Sequence, residues 1–206
     1  MRSDRYRYLV GLDCSIKQSG VAVYEPDTNK LELQSGTFTE VVKWLNEKGV
    51  LKQAIAVIED PNLNSPLFIA RRSIYSVLKR RQAGRCSEAD VMTEMNILLK
   101  RAQHVGKAQA AAELFVQFFS GAGIPYLRIA PSDRMRADKP PRAGKHPMPV
   151  GMLVMPTKTT AYQFKTLTGY KGRSNEHARD AAMLVWGKSI EWAKSNLIIQ
   201  REKQLI

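Results

Sequence analysis

An α/β fold built on one mixed five-stranded sheet flanked by helices is what this sequence predicts, and three observations carry the prediction. The first third alternates short β-prone runs with turn chemistry. A continuously apolar run, Ala54 to Ile58, follows a short amphipathic helix, as expected of a strand covered on both faces. The remainder returns to helical periodicity with one further strand. A chain of 206 residues can bury a substantial core. The expected organisation is therefore a single domain, 1–206, with a basic helical insertion at about 61–104 and a basic proline-rich loop at about 133–156.

Taken in order, Tyr8 to Asp13, Gly20 to Tyr24 and Lys30 to Thr37 are the first three strands. Lys17-Gln18-Ser19-Gly20 and Pro26-Asp27-Thr28-Asn29 supply the turns between them. Glu40 to Glu47 has helical spacing through Val41, Trp44 and Leu45 and is closed by Gly49. After the buried strand, Pro61 to His104 interrupts the pattern with two helices, Ser65 to Arg81 and Ser87 to Gln103, joined by Ala83-Gly84. Ser87 and Asp90 resemble a capping box with Asp in place of Glu. Gly106 to Phe119 reads as a separate helix, alanine-rich on one side and so suited to close packing, either on the sheet or across a dimer. Ile124 to Ala130 is the fifth strand, ended by Pro131. Pro140, Pro141 and Pro147 exclude a continued helix between Lys139 and Pro147. Thr157 to Leu167 and Asn175 to Asn196 are the closing helices, and no internal repeat is visible.

The net charge of +13 favours a polyanionic partner, because each basic contact with a phosphate releases condensed counterions. Membrane insertion is disfavoured, since no run reaches about 18 apolar residues. No apolar signal region follows the basic N-terminus. Two cysteines, Cys14 and Cys86, form neither a disulfide framework nor a CxxC signature, and Cys14 reads as a small buried hydrophobe. A reducing compartment containing nucleic acid is the expectation: the cytoplasm of a bacterium or of a phage-infected host.

The chemistry concentrates in Asn175-Glu176-His177-Ala178-Arg179-Asp180-Ala181-Ala182. On a helix, His177 and Asp180 are three residues apart and share a face. Two apolar strands end in acids, at Asp13 and at Glu59-Asp60. Period-two alternation lets only one of Glu59 and Asp60 face a given site. Three acids and a histidine on such elements suggest a divalent-metal nuclease.

These residues also resemble a family. Gly11-Leu12-Asp13, a polar turn and Gly20-Val21-Ala22-Val23 are similar to the first hairpin of RuvC-type Holliday junction resolvases, which have the RNase H-like fold. Ile58-Glu59 resembles their second motif, Val105-Gly106-Lys107-Ala108-Gln109 the helix start that follows, and His177-Ala178-Arg179-Asp180-Ala181 the last motif. Lys158 resembles a basic residue near the scissile phosphate. The layout looks like a phage version; it departs from the family in Asp13-Cys14-Ser15, in a longer segment after Glu59 and in the Pro140–Pro147 loop.

The resemblance implies a magnesium-dependent endonuclease with two ions per site, also served by manganese, with Asp13 bridging, Glu59 and Asp180 holding one ion each, and His177 completing a sphere. Lys158 would stabilise the phosphorane. The implied substrate is branched DNA, four-way junctions above all, cut in paired symmetric nicks by a homodimer. Phosphate-tracking residues would be Arg71, Arg72, Lys79, Arg80, Arg81, Lys107 and Lys158, with Phe68 and Tyr75 interleaved as stacking or core residues.

Three rival readings stand beside it. A broader debranching nuclease would use the same residues on flaps or forks. A non-catalytic DNA-binding relative would have no need of four competent ligands. An actin or sugar-kinase type phosphotransferase is suggested by Gly11-Leu12-Asp13-Cys14-Ser15 and Gly20, but the chain lacks the second domain and the second glycine-rich motif of that class.

Overall fold

A computed structural model of the chain describes residues 6–63, 75–85, 87–131, 135–136, 156–157 and 159–204. Five strands, β1 (Tyr8–Asp13), β2 (Ser19–Glu25), β3 (Lys30–Gly36), β4 (Ala54–Glu59) and β5 (Tyr126–Ile129), form one sheet in the order β3-β2-β1-β4-β5. β1 is central, antiparallel to β2 and parallel to β4. β2 and β3 are antiparallel, β4 and β5 parallel. The sheet is mixed and five-stranded as expected, and each strand lies within two residues of its predicted bounds.

Pleating sorts β1 and β4 into two faces. Val10, Leu12 and Cys14 with Ala56 and Ile58 face a cluster completed by Val41 and Leu45 of α1 (Phe38–Lys48) and by Ala111, Ala112, Phe115 and Phe119 of α2 (Glu88–Gly121). Leu9, Ile55 and Val57 face the opposite cluster. This second cluster takes Phe164 from α3 (Ala161–Thr168), Ala181, Ala182, Leu184 and Val185 from α4 (Glu176–Val185), and Ile190 and Ala193 from α5 (Ile190–Gln204). The result is three layers, helix on sheet on helix. Cys14 is buried in the first cluster, where loss of hydration pushes its thiol pKa well up.

Three helix boundaries differ from expectation. Glu88–Gly121 is one continuous helix rather than two, running straight through Gly106. Ser87 and Asp90 do make the capping box that starts it. Residues 75–82 are helical and lead through Ala83-Gly84 towards α2, and Arg80 pairs with Glu94 of α2 at 3.1 Å; the expected start of that helix at Ser65 lies outside the described residues. α3 begins at Ala161, not Thr157, because Thr160 and Gln163 form a capping box and Pro156–Thr157 pairs with Met135–Arg136 as a short parallel bridge. The last helix is broken in two: Gly187 adopts φ +71°, and Ser189 receives the Trp192 N–H at 3.1 Å to start α5.

The β5 edge is closed by a side chain. Gln200 of α5 accepts the Arg128 N–H at 3.2 Å and donates its amide N–H to the Arg128 carbonyl. Among the described residues, no helix is long and apolar enough to cross a membrane.

Candidate functional site

Asp13 and Glu59 are partners in the parallel register of β1 and β4, so the two carboxylates leave the same face at the same end of neighbouring strands. That face is the one covered by α4. Asp60, one residue on, points to the other side and is fully buried. It accepts from the Arg128 guanidinium and from the Asn62 N–H at 2.8 Å, so it serves to hold the strand end. The choice of Glu59 over Asp60 as the site-facing acid agrees with this pleat.

α4 reaches the acids because two glycines let it lie directly on the sheet. A Cβ on Gly20 would stand 1.9 Å from the His177 carbonyl oxygen, and one on Gly11 would stand 2.1 Å from that of Ala181. No side chain fits either gap. Asn175 caps the helix through the Ala178 N–H at 2.8 Å and reaches across to Ser35 of β3 at 2.7 Å. The axial position of α4 is thereby fixed from both its backbone face and its cap.

Seated so, the helix brings His177 to Asp13: the imidazole Nδ1–H donates to Asp13 Oδ2 at 2.7 Å. This hydrogen bond raises the His177 pKa above its ordinary value, against the opposing effect of partial burial, with further charge support from Asp13, Glu176 and Asp180. Asp180 lies on the buried side of α4, not on the surface, while Glu176 is exposed. Among the described residues, no three His, Cys, Asp or Glu side chains converge as a ready-made metal cage. The donor types and their common face suit a hard divalent cation, but His177 spends its Nδ1 on Asp13 in this arrangement.

Three neighbouring devices escaped the sequence reading. Arg179 donates to the carbonyls of Thr159 and Ser174, both at 2.9 Å, tying the approach to α3 onto the start of α4. Ser19 clamps the β1–β2 loop beside Asp13, accepting from the Ser15 N–H at 3.0 Å and donating to the Ser15 carbonyl at 2.6 Å. The seat made by Gly11 and Gly20 was legible only as glycines in a hairpin, without their helix. Arg179 carried no signal separable from an ordinary surface arginine.

Of the predicted phosphate-tracking residues, Lys79, Arg81 and Lys107 are exposed, and Arg80 is exposed but paired with Glu94. Tyr75 is also exposed. Arg71, Arg72, Phe68 and Lys158 lie outside the described residues, as does most of the 133–156 loop. Ala111 and Ala112, proposed for close approach, are buried in the cluster on the sheet. Compared with known proteins, the chain matches no family model and no curated relative.

Proposed function

We propose that this chain is a metal-dependent, structure-selective endonuclease with an RNase H-like fold of the RuvC-type resolvase kind, hydrolysing phosphodiester bonds in branched DNA, four-way junctions foremost. The observation that carries the reading is a placement at the ends of two neighbouring strands: Asp13 and Glu59 stand in register, and a helix seated on Gly11 and Gly20 bonds His177 to Asp13 and carries Asp180 on its buried side. The net charge of +13 supports a phosphate-rich partner.

In this reading Asp13, Glu59, Asp180 and His177 hold magnesium or manganese. Once bound, two such ions supply a nucleophilic water and relieve charge on the leaving 3′-oxygen. The chain's own part is positional. β1 and β4 present two carboxylates side by side, and His177 fixes the Asp13 carboxylate by holding Oδ2. Asp180 adds a third negative charge from the buried side of α4. Lys158 follows Thr157 and precedes the tethered Thr159, and is assigned the charge developing on the phosphorane. Lys79, Arg81 and Lys107, with Arg71 and Arg72, are assigned to the DNA backbone, and a homodimer would deliver paired nicks.

The test is cleavage of end-labelled four-way junction, flap and linear duplex with magnesium, manganese or EDTA. Metal-dependent symmetric nicks in the junction alone, lost in Asp13→Asn, are the expected result. Asp180→Asn should also abolish cutting while leaving junction binding intact, and wild-type cutting by that variant would sink the site assignment. Cutting spread over flaps and forks would widen the function to debranching. A second reading, a DNA-binding relative without activity, draws on the direct His177–Asp13 bond. Tight junction binding without cutting under every metal condition would select it.

A further inference from the structure

Arg179 is a basic residue near the start of α4, between His177 and Asp180. The partial positive charge of a helix N-terminus disfavours a cation there. Capping does not require it either, since Asn175 already caps α4. Its bonds go to backbone carbonyls: Nε donates to Thr159 and Nη1 to Ser174, both at 2.9 Å. One planar group thus joins two segments of chain, the one entering α3 and the one entering α4.

The side chains beside this clamp add nothing to it. Thr159 is buried, and neither its Oγ1 nor the buried Oγ of Ser174 has a hydrogen-bond partner among the described residues. Upstream, Pro156–Thr157 bridges to Met135–Arg136 and lies against α4. Lys158 is the residue between that bridge and the clamped Thr159. Both of its neighbours are therefore held, one by the bridge and the other by Arg179. At the far end of the clamp, Ser174 precedes Asn175, which caps α4 and bonds Ser35 of β3. α4 also carries His177, bonded to Asp13 at 2.7 Å. A continuous route of contacts runs from Asp13 through His177, α4 and Arg179 to Thr159.

We propose that Arg179 is a positioning residue: it sets Thr159, and through it Lys158, at a fixed place relative to the Asp13–His177 pair. The proposal rests on the nuclease reading and adds to it a residue that acts only through another. A guanidinium suits the task. Its nitrogens are rigidly spaced and always charged, so two carbonyls are held at a set separation. A lysine ammonium is one point on a flexible stem and cannot fix that separation. The group that meets charge developing on phosphorus must stand in the right place, and a misplacement of about 1 Å costs up to about a hundredfold in rate. Loss of the clamp should therefore slow the chemical step and leave DNA affinity alone, since the assigned tracking residues lie on other elements.

The experiment uses the full chain with Arg179→Gln, Arg179→Lys, Lys158→Ala, and Arg179→Gln combined with Lys158→Ala. Amide hydrogen exchange is read first, without DNA. Arg179→Gln should raise exchange across 157–160 at least about tenfold with circular dichroism unchanged, and unaltered exchange there overturns the clamp. Single-turnover cutting of end-labelled four-way junction with magnesium follows, at saturating protein. Arg179→Gln should slow it about tenfold to a hundredfold while the junction Kd stays within about twofold. Arg179→Lys keeps the charge without the fork and should be slowed alike; a full rate in that variant overturns the proposal, because charge alone would then suffice. The double variant should be no slower than Lys158→Ala, and losses that multiply overturn the proposal by giving Arg179 a role of its own. A wild type that cuts nothing overturns the nuclease reading and the positioning role together, and the exchange result then describes structure alone.

Discussion

The two halves of α2 are one helix with opposite fates. From Ala111 to Phe119 its apolar residues, Leu114 excepted, pack onto the sheet, with Phe115 wholly buried and in tilted contact with Phe38 at 4.9 Å between ring centroids. From Glu88 to Val105 most residues of similar type stand in solvent, the buried Val91 and the half-buried Leu98 apart. Local propensity and a good cap decide that the helix forms; what lies opposite decides whether its apolar face is used. A contrast of the same kind separates α2 from α4. α4 approaches its sheet to backbone contact, because Gly11 and Gly20 remove every atom that would keep it away.

The contrast is sharpest in stability. Phe115→Ala should cost about 3–5 kcal/mol in chemical unfolding, through lost transfer energy and the cavity left behind. A loss below about 1 kcal/mol would show that the buried half of α2 is not anchored as described. Gly20→Ala comes next, at about 1–3 kcal/mol, because its methyl group meets the His177 carbonyl and α4 must lift. The lift also separates His177 from Asp13, so this variant should lose function beyond what its stability predicts, and unchanged behaviour would mean the helix is seated elsewhere.

A smaller effect follows from the His177–Asp13 bond. The folded pKa of His177 is raised, so its contribution is complete below the unfolded value of about 6.5 and fades as pH climbs through the folded value. With the imidazole 41 % exposed, solvent screening holds this below about 1 kcal/mol. Melting in EDTA should therefore show wild type losing stability relative to Asp13→Asn as pH rises from about 6.5 upward, and parallel curves would argue that the bond is absent in solution. Smallest of all is Ile97→Ser on the exposed half of α2, expected within about 0.5 kcal/mol of wild type.

Much of the sheet could be read directly, because its strands are either alternating runs between turn residues or one unbroken apolar run. The Asp13–Glu59 face was legible only in part: alternation allowed just one of Glu59 and Asp60 to share it, and the family resemblance, not the pleat, selected Glu59. The continuity of α2 was not, because a single glycine is weak punctuation when Gln103, Lys107, Ala108 and Gln109 around it all favour helix. The Thr160–Gln163 box and the Gly187–Ser189 break were written in the residues and overlooked in favour of longer periodicity. The His177–Asp13 bond spans 164 residues of chain, and no local pattern specifies it.

Gln200 occupies both hydrogen-bonding groups of Arg128 on the outer side of β5, acting as a single rung of a sixth strand. An uncovered strand edge is adhesive in a sequence-indifferent way, and it grows fibrils as readily as pairs. By closing that rung with one side chain, the fold turns an open-ended contact into a finished one. Colloidal behaviour should accordingly hinge on a residue far from any chemistry.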